Sequence, residues 1–550
     1  MKMYKKLLAC ILAFVLCLSQ LMFLPAEKLS ALGIEASAAA TSGACGENLI
    51  WDLNLLTGTL KISGYGDMSE IVPWSAHSSI IRKVVFDGEI TSISDHAFFA
   101  FTKLESITIP DSVTYIGVEA FFGCKALTEV VIGKGVKEIG AYAFKECDNL
   151  ICFTVDEENE NYASFECALF KETDGKLTTL IQYPAGNAKT SYSIPDTVEE
   201  IFNFAFNKVK ALRSISIPAS VSTITPYSFV RCIGMESYSV AAENEKYISE
   251  DGVLFNKDKT ELLKYPAGNK RKSYDIPDTV KTIELGAFEN ANYLLTVSIP
   301  DSVTKIKDSA FISMKNLEEI IIPDNVTAIG SNTFESCIRL KSVKLGKEVS
   351  TIGGDAFRNC VQLRSIKLPD TLTTVGYGAF YGCENLRTVT IPSSVTLIAE
   401  MAFKYCSGLR NIYYGGTEEQ WKKIDIKGNN LELKIATVHY CDISEDKIII
   451  TSEEQTAYYK FRYTLNVNND IIPEDADISW SKSADFPMEI QTSKDNKECK
   501  VRFLELGKIT VSANAVDEDG NQIIINYNFN VKYTWWQWII YVLLGFRFWI

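Results

Sequence analysis

Fourteen cysteines and three histidines hold most of the reactive chemistry open to this chain. In a chain that leaves the cytosol so many cysteines point to disulfides, and Cys/His clusters to a metal. Their spacing argues against both. Seven of them, Cys124, Cys147, Cys232, Cys337, Cys360, Cys383 and Cys406, each stand three residues after a phenylalanine. Elsewhere that place holds Phe101, Val209, Ala291 or Met314. Exchange with apolar residues describes a small buried hydrophobe; a metal ligand or a nucleophile would not tolerate it. Where these cysteines stack, from Cys337 to Cys406, parallel Cβ directions argue against bonding. The nearest pair, Cys147 and Cys152, has one member in the ladder. His77, His96 and His439 are scattered, and no G-x-S-x-G, H-E-x-x-H or ligand-spaced C-x-x-C occurs. Asp156, Glu157, Glu158 and Glu160 crowd one segment, which reads as a solvated loop. A glycosidase needs two carboxylates facing each other across a cleft. The expectation is no catalytic residue, no metal and no cofactor.

The elements that place these residues follow from the phenylalanines: Phe98, Phe121, Phe144, Phe206, Phe229, Phe288, Phe311, Phe334, Phe357, Phe380 and Phe403. The step is 23 residues, except 62 before Phe206 and 59 before Phe288. A fixed period of this size marks a solenoid whose repeats bury apolar faces only against their neighbours. Five residues before each Phe stands Ile, or Val375; eight before, Val, Ile or Leu; six after, Leu or Met235. Apolar residues twelve and fourteen before alternate with polar ones, which predicts a strand over segments such as Leu104–Pro110. Proline closes that strand in eight repeats, where pairing must end. The small residue before Phe, as in Ala97 and Ala120, fits a tight turn or a short helical segment.

The stretch 104–124, LESITIPDSVTYIGVEAFFGC, resembles the bacterial leucine-rich repeat of the BspA type, and the resemblance spans roughly residues 80–410. It implies a leucine-rich repeat solenoid with a parallel β-sheet face, capped at both ends. Residues 41–79 resemble the N-terminal β-rich cap of such proteins and 411–441 the closing cap, where Tyr413, Tyr414 and Trp421 would cover the apolar end. Two inserts, at about 151–192 and 236–274, share the motif YPAGN at 183–187 and 265–269. Each reads as a hairpin with an extra coil, either a binding protrusion or a tolerated repeat variant.

Residues 443–533 alternate as six or seven strands and read as a β-sandwich, immunoglobulin-like, with Trp480 as a candidate core residue. The strands expected are Lys447–Thr451, Tyr458–Asn466, Ile478–Ser481, Cys499–Phe503, Lys508–Ala515 and Ile523–Val531. Lys2, Lys5 and Lys6 followed by an apolar run within residues 1–40 read as a signal peptide, with an uncleaved anchor as the alternative. The apolar tail 535–550, rich in tryptophan at its start, is expected to enter a membrane or to act as an export or attachment signal. An apolar strand on the sandwich is the other reading. A net charge of −14 with no basic stripe excludes nucleic acid as the expected partner.

Outward strand positions fall fifteen and thirteen residues before each Phe. They read Ser106/Thr108, Ser214/Ser216, Thr296/Ser298, Ser342/Lys344, Ser365/Lys367 and Thr388/Thr390, interrupted by Val131 and Ile321. This face lacks the rings that sugar binding ordinarily uses. It suits hydrogen bonding to a protein, or is simply a solvated β surface. The binding candidates are therefore Ser342, Lys344, Ser365 and Lys367 on the sheet and Tyr162, Tyr183, Tyr247 and Tyr265 in the inserts. The family resemblance implies an extracellular, cell-surface, adhesin-like protein binding a host, matrix or neighbouring-cell protein. A non-catalytic envelope scaffold is the alternative, and an extracellular hydrolase a more remote one.

Overall fold

The computed structural model describes residues 40–444 and, further on, 447–451, 455–458, 462–466, 478–482, 488–493, 498–503, 507–516 and 522–532. The segments read as signal peptide and apolar tail lie outside the described residues, apart from Ala40. The chain divides into two units, Met1–Gly175 and Lys176–Ile550.

In the first unit, strands Ser42–Ala44, Asn48–Asn54 and Thr59–Asp67 are antiparallel, and the last runs parallel to Lys83–Ile93. From there the chain climbs in coils. Ser106–Ile109, Glu129–Ile132 and Cys152–Val155 pair in parallel, and the register Ser106↔Glu129↔Cys152 advances by the sequence period. Ile107, Ile109, Val130 and Ile132 point inward and are buried, as the alternation requires. A second parallel ladder, Tyr115–Ile116 beside Glu138–Ile139, is only two residues wide. Alternation cannot reveal a strand that short.

The phenylalanines stack. Trp74, Phe98, Phe121 and Phe144 form a column with successive centroids 5.8, 5.1 and 5.3 Å apart. Trp74 Nε1 also donates to Ala97 O at 2.9 Å, so this ring covers the end of the column by contact and hydrogen bond together. The segment holding each Phe is a turn; no helix forms there. Residues two before and two after the Phe adopt positive φ, as at His96 (57°) and Ala100 (59°). Such values are uncommon outside glycine. They aim alternate N–H groups at the next coil: His96 N, Phe98 N and Ala100 N donate to Val118 O, Ala120 O and Phe122 O at 2.9, 2.7 and 2.7 Å. This third ladder satisfies backbone groups that would otherwise be buried unpaired.

The second unit repeats this logic. Sheets of parallel strands run Ser191–Ser193, Ser214–Ile217, Ser237–Val240; then Ser273–Asp275, Thr296–Ser298, Glu319–Ile321, Ser342–Lys344; then Ser365–Lys367, Thr388–Pro392, Asn411–Gly415, Thr437–Ser444. Tyr265 begins a ring column that continues through Phe288, Phe311, Phe334, Phe357 and Phe380 to Phe403. At its far end Asn430 takes the part of a following coil. Its Oδ1 accepts from Phe403 N at 2.9 Å and its Nδ2 donates to Ala399 O at 2.9 Å, while Glu432 Oε1 accepts from Tyr405 N at 2.8 Å. The aromatics expected at this end do pack, Tyr414 against Trp421 at 5.2 Å, but polar side chains satisfy the backbone.

Beyond residue 444, Lys447–Thr451 and Gln455–Tyr458 each pair with Gln522–Lys532, which also pairs with Gly507–Val516 and through it extends to Ser479–Lys482. Arg462–Asn466, Glu498–Phe503 and Met488–Thr492 form a separate antiparallel sheet. The strand expected over 458–466 is thus two strands in different sheets. Trp480, expected in the core, is half-buried; Ile478, Cys499, Val501, Ile509, Val511 and Ala513 are the buried residues there.

Candidate functional site

The outward rows of the parallel sheets form a surface that recurs from coil to coil. In the first unit Ser106 and Thr108 are exposed. In the second, Ser191, Ser193, Ser216, Ser239, Ser298 and Lys344 are exposed, with Ser214, Ser342, Ser365 and Lys367 half-buried beside them. Ile321 stands on this face with 64% of its surface open, a large apolar side chain among hydroxyls. Thr390, expected on the open face, is buried at 6%. Its register partner on the next strand is Tyr413, which is itself buried.

The insert tyrosines occupy another place than the sequence suggested. Tyr162, Tyr183 and Tyr265 are buried and Tyr247 is half-buried, so three of the four rings are closed to a ligand. The reason is structural. Tyr162 Oη accepts from Ile139 N at 2.9 Å, and Tyr247 Oη accepts from Ile224 N at 2.9 Å. Each ring reaches back to the preceding coil, whose narrow ladder would otherwise end in an unpaired donor. A buried asparagine completes each joint. Asn159 Nδ2 donates to Gly133 O and Val136 O, and its Oδ1 accepts from Tyr162 N. Asn244 does the same with Pro218 O, Val221 O and Tyr247 N. Sequence reasoning passed over these asparagines, although the segments 158–162 and 243–247 read ENENY and ENEKY. The repeated E-N-E-x-Y was the available signal.

The two inserts differ in one covalent feature. Cys152 and Cys167 form a disulfide. The corresponding residues of the second insert, 85 further on, are Ser237 and Gly252. This corrects the expectation of no disulfide: the sequence marks Cys152 only as the near neighbour of Cys147, and Cys167, its actual partner, carries no prediction. The ladder cysteines are free and buried, as their exchange with apolar residues implies. Each thiol donates to the carbonyl of a Phe in the coil below, for instance Cys337 to Phe311 O and Cys360 to Phe334 O, both at 3.2 Å. Burial pushes the thiols of Cys232 and Cys337 up to about 12, which leaves them protonated and unreactive at neutral pH.

A cavity of about 220 Å³ lies beside the second insert, walled by Ile224, Tyr247, Glu261, Lys264, Glu284 and Lys307. Its charges answer one another. Lys264 Nζ donates to Gly286 O at 2.7 Å and meets Glu289 Oε2 at 3.3 Å, and Lys307 Nζ lies 2.6 Å from Glu284 Oε2. Among the described residues no group of three His, Cys, Asp or Glu side chains is placed to hold a metal ion. His77 and His439 are engaged with Ala40 O and Asn411 Oδ1, and His96 lies on the surface beside Glu119.

The sequence profile described as BspA type Leucine rich repeat region matches residues 75–185, 183–261, 264–360 and 327–444. Among solved structures, a leucine-rich repeat protein from Eubacterium ventriosum ATCC 27560 is 26% identical, with 68% of this chain and 84% of that one covered and a TM-score of 0.41. A leucine rich cell surface protein from Faecalibacterium prausnitzii A2-165 is 27% identical, covering 71% and 99%, with a TM-score of 0.40. The pneumococcal vaccine antigen PcpA is 17% identical, covering 73% and 98%, with a TM-score of 0.37. No curated protein matches the chain.

Proposed function

We propose that this chain, which belongs to the family of BspA-type leucine-rich repeat proteins, is a cell-surface protein that binds a protein partner on host cells, matrix or neighbouring microbes. The observation that carries this reading is the sheet face. It is a recurring, solvent-open surface of hydroxyls with a few cations, the carboxylates Glu129, Asp275 and Glu319 and one exposed isoleucine, and it offers hydrogen bonds to a partner. Ser342, Lys344, Ser365 and Lys367 belong to it. The insert tyrosines do not, because their rings hold the coils together. The basic-then-apolar start of the chain supports export in this reading, and the apolar tail at 535–550 is proposed to attach the chain to the envelope.

The test is display of the full chain on a bacterium that does not adhere by itself. Binding to epithelial monolayers and to immobilised matrix proteins is then counted, before and after protease treatment of the target. Adherence that appears with the chain and vanishes with the target's protein supports the reading. Adherence no greater than that of the undecorated bacterium overturns it. Ordered self-assembly of the purified chain in that case favours an envelope scaffold.

A further inference from the structure

We propose that the last coils of the solenoid bind a linear anionic polysaccharide, one carrying sulfate or uronate groups, along a row of cations at the edge of the sheet face. The residue just before the sheet strand is Lys341, Arg364, Arg387 and Arg410 in four consecutive coils. In earlier coils the same place holds Arg82, Glu105, Thr128, Ile151, Thr190, Arg213, Glu236, Lys272, Leu295 and Glu318, a mixture of both signs and none. The chain as a whole carries −14, so these coils reverse the sign locally.

The backbone aligns the row. Arg387 N donates to Arg364 O at 2.7 Å, Arg410 N to Arg387 O at 3.0 Å and Thr437 N to Arg410 O at 2.8 Å. Gln362 N donates to Ile338 O at 3.2 Å, which keeps the coil of Lys341 against that of Arg364. From Arg364 to Arg410 successive cations therefore advance by one strand spacing, ~4.8 Å, while Lys341 stands one coil before them, at the end of the neighbouring sheet. Lys341, Arg364, Arg387 and Arg410 are all exposed, and Lys344 and Lys367 add a second cation to two of the coils. Arg410 Nη1 donates to Ser407 O and Leu409 O at 2.8 and 3.1 Å, which holds its guanidinium in place by one of its nitrogens. Lys341 and Arg339 share Glu318, at 3.0 and 3.4 Å. Lys344, Arg387 and Arg410 have no ion-pair partner among the described residues. Of the carboxylates beside this stretch, Glu318 is taken up by that pair, Glu319 stands exposed on the strand next to Ser342, and Glu384 lies three residues before Arg387 in the chain.

Three arginines stepped by the strand ladder, with Lys341 one coil before them, suit a polymer whose charges also recur evenly, and the step is close to the length of one sugar ring. An acidic protein surface offers no such regular row. Guanidinium groups bind sulfate and carboxylate through paired hydrogen bonds, which favours arginine at three of the four places. This proposal goes beyond the protein-binding reading and stands apart from it.

The experiment uses the full chain on surfaces coated with dextran sulfate, uncharged dextran or poly-glutamate, at a series of salt concentrations. The chain is expected to hold to dextran sulfate alone and to weaken as salt rises. The variant Lys344→Gln/Arg387→Gln/Arg410→Gln is expected to bind about tenfold more weakly or worse, since affinity for a polyanion falls with each cation removed. Its melting temperature should fall only slightly, because none of the three is in an ion pair and the variant loses only the two exposed hydrogen bonds of Arg410. The variant Arg82→Gln/Arg213→Gln/Lys272→Gln changes charge equally at the same place in other coils and should bind as the parent does. No binding to dextran sulfate at low salt, or equal binding by the first variant, overturns the proposal. Equal retention on poly-glutamate also overturns it, by making an acidic protein the occupant. The assay contains no protein partner, so its failure leaves the adhesion result untouched, and the converse holds.

Discussion

At the scale of the residue, the buried thiols and asparagines carry the fold's most specific chemistry. Cys360 fills a space in the core and donates to Phe334 O. Replacing it by alanine is expected to lower stability by about 1–2 kcal/mol, through the lost volume and the carbonyl left unpaired. Urea denaturation of the full chain measures this. The thiols of Cys232 and Cys337 rise from the ordinary 9.0 to about 12 on folding because the thiolate is desolvated. Below 9.0 both folded and unfolded states keep these protons, so their contribution is constant. Between 9.0 and about 12 only the unfolded state gives them up, and stability falls as pH rises through that window. Melting temperature should therefore drop above pH 9.0, and alkylation of the folded chain at pH 8 should spare both thiols. A thiol alkylated as fast as in urea would contradict their burial. Asn244→Ala removes two donations and an acceptor at once and is expected to destabilise by about 2–4 kcal/mol, against about 1 kcal/mol for Tyr247→Phe. Neither should alter ligand binding. A change in affinity with Tyr247→Phe would return that ring to the surface of function.

At the scale of the element, much was legible before any coordinates. The period of Phe98 to Phe403 and the alternation in segments such as Ser106–Ile109 announce stacked parallel strands, because a residue that must meet its own copy in the next coil cannot vary freely. What was hidden has a physical reason in each case. Tyr115–Ile116 is too short to show alternation, and backbone atoms make the turn ladder at His96, Phe98 and Ala100, whatever their side chains. The insert tyrosines read as exposed because aromatic residues in an irregular segment carry no periodic signal of burial. Three of the four insert tyrosines are thereby closed and Tyr247 is half-buried, while on the sheet Lys344 is exposed and Ser342, Ser365 and Lys367 are half-buried beside the cation row. The basic row itself escaped notice because it needs the register of coils as well as the count of charges. The disulfide is a further test of the element scale. Cys167 sits at a φ of 70°, where the second insert has Gly252 at 81°. The crosslink closes a loop of 15 residues. Replacing both cysteines by serine is expected to cost the first unit about 3 kcal/mol. Protease cutting between residues 156 and 165 under reducing conditions, compared with oxidising ones, reads this out. Equal cutting in both would show that the bond contributes nothing.

At the scale of the whole molecule, a repeat protein gains its stability from nearest-neighbour contacts. Removing residues 313–335, one period of 23, should leave a folded chain with a slightly lower melting temperature, since each cut surface meets its equivalent. Removing half a period should unfold the second unit, because it would place strand against turn. Circular dichroism distinguishes the two. The account's central claim is that the outward rows of the sheets, and not the inserts or the turns, meet the partner. The most direct measurement is adherence by bacteria displaying the full chain with Ser216→Arg, Ser298→Arg and Ile321→Arg together, beside a turn-side variant, Tyr377→Ala with Tyr405→Ala. The account predicts that adherence is lost with the first and kept with the second, both chains melting as the parent does. Adherence kept by the sheet variant and lost by the turn variant would contradict it.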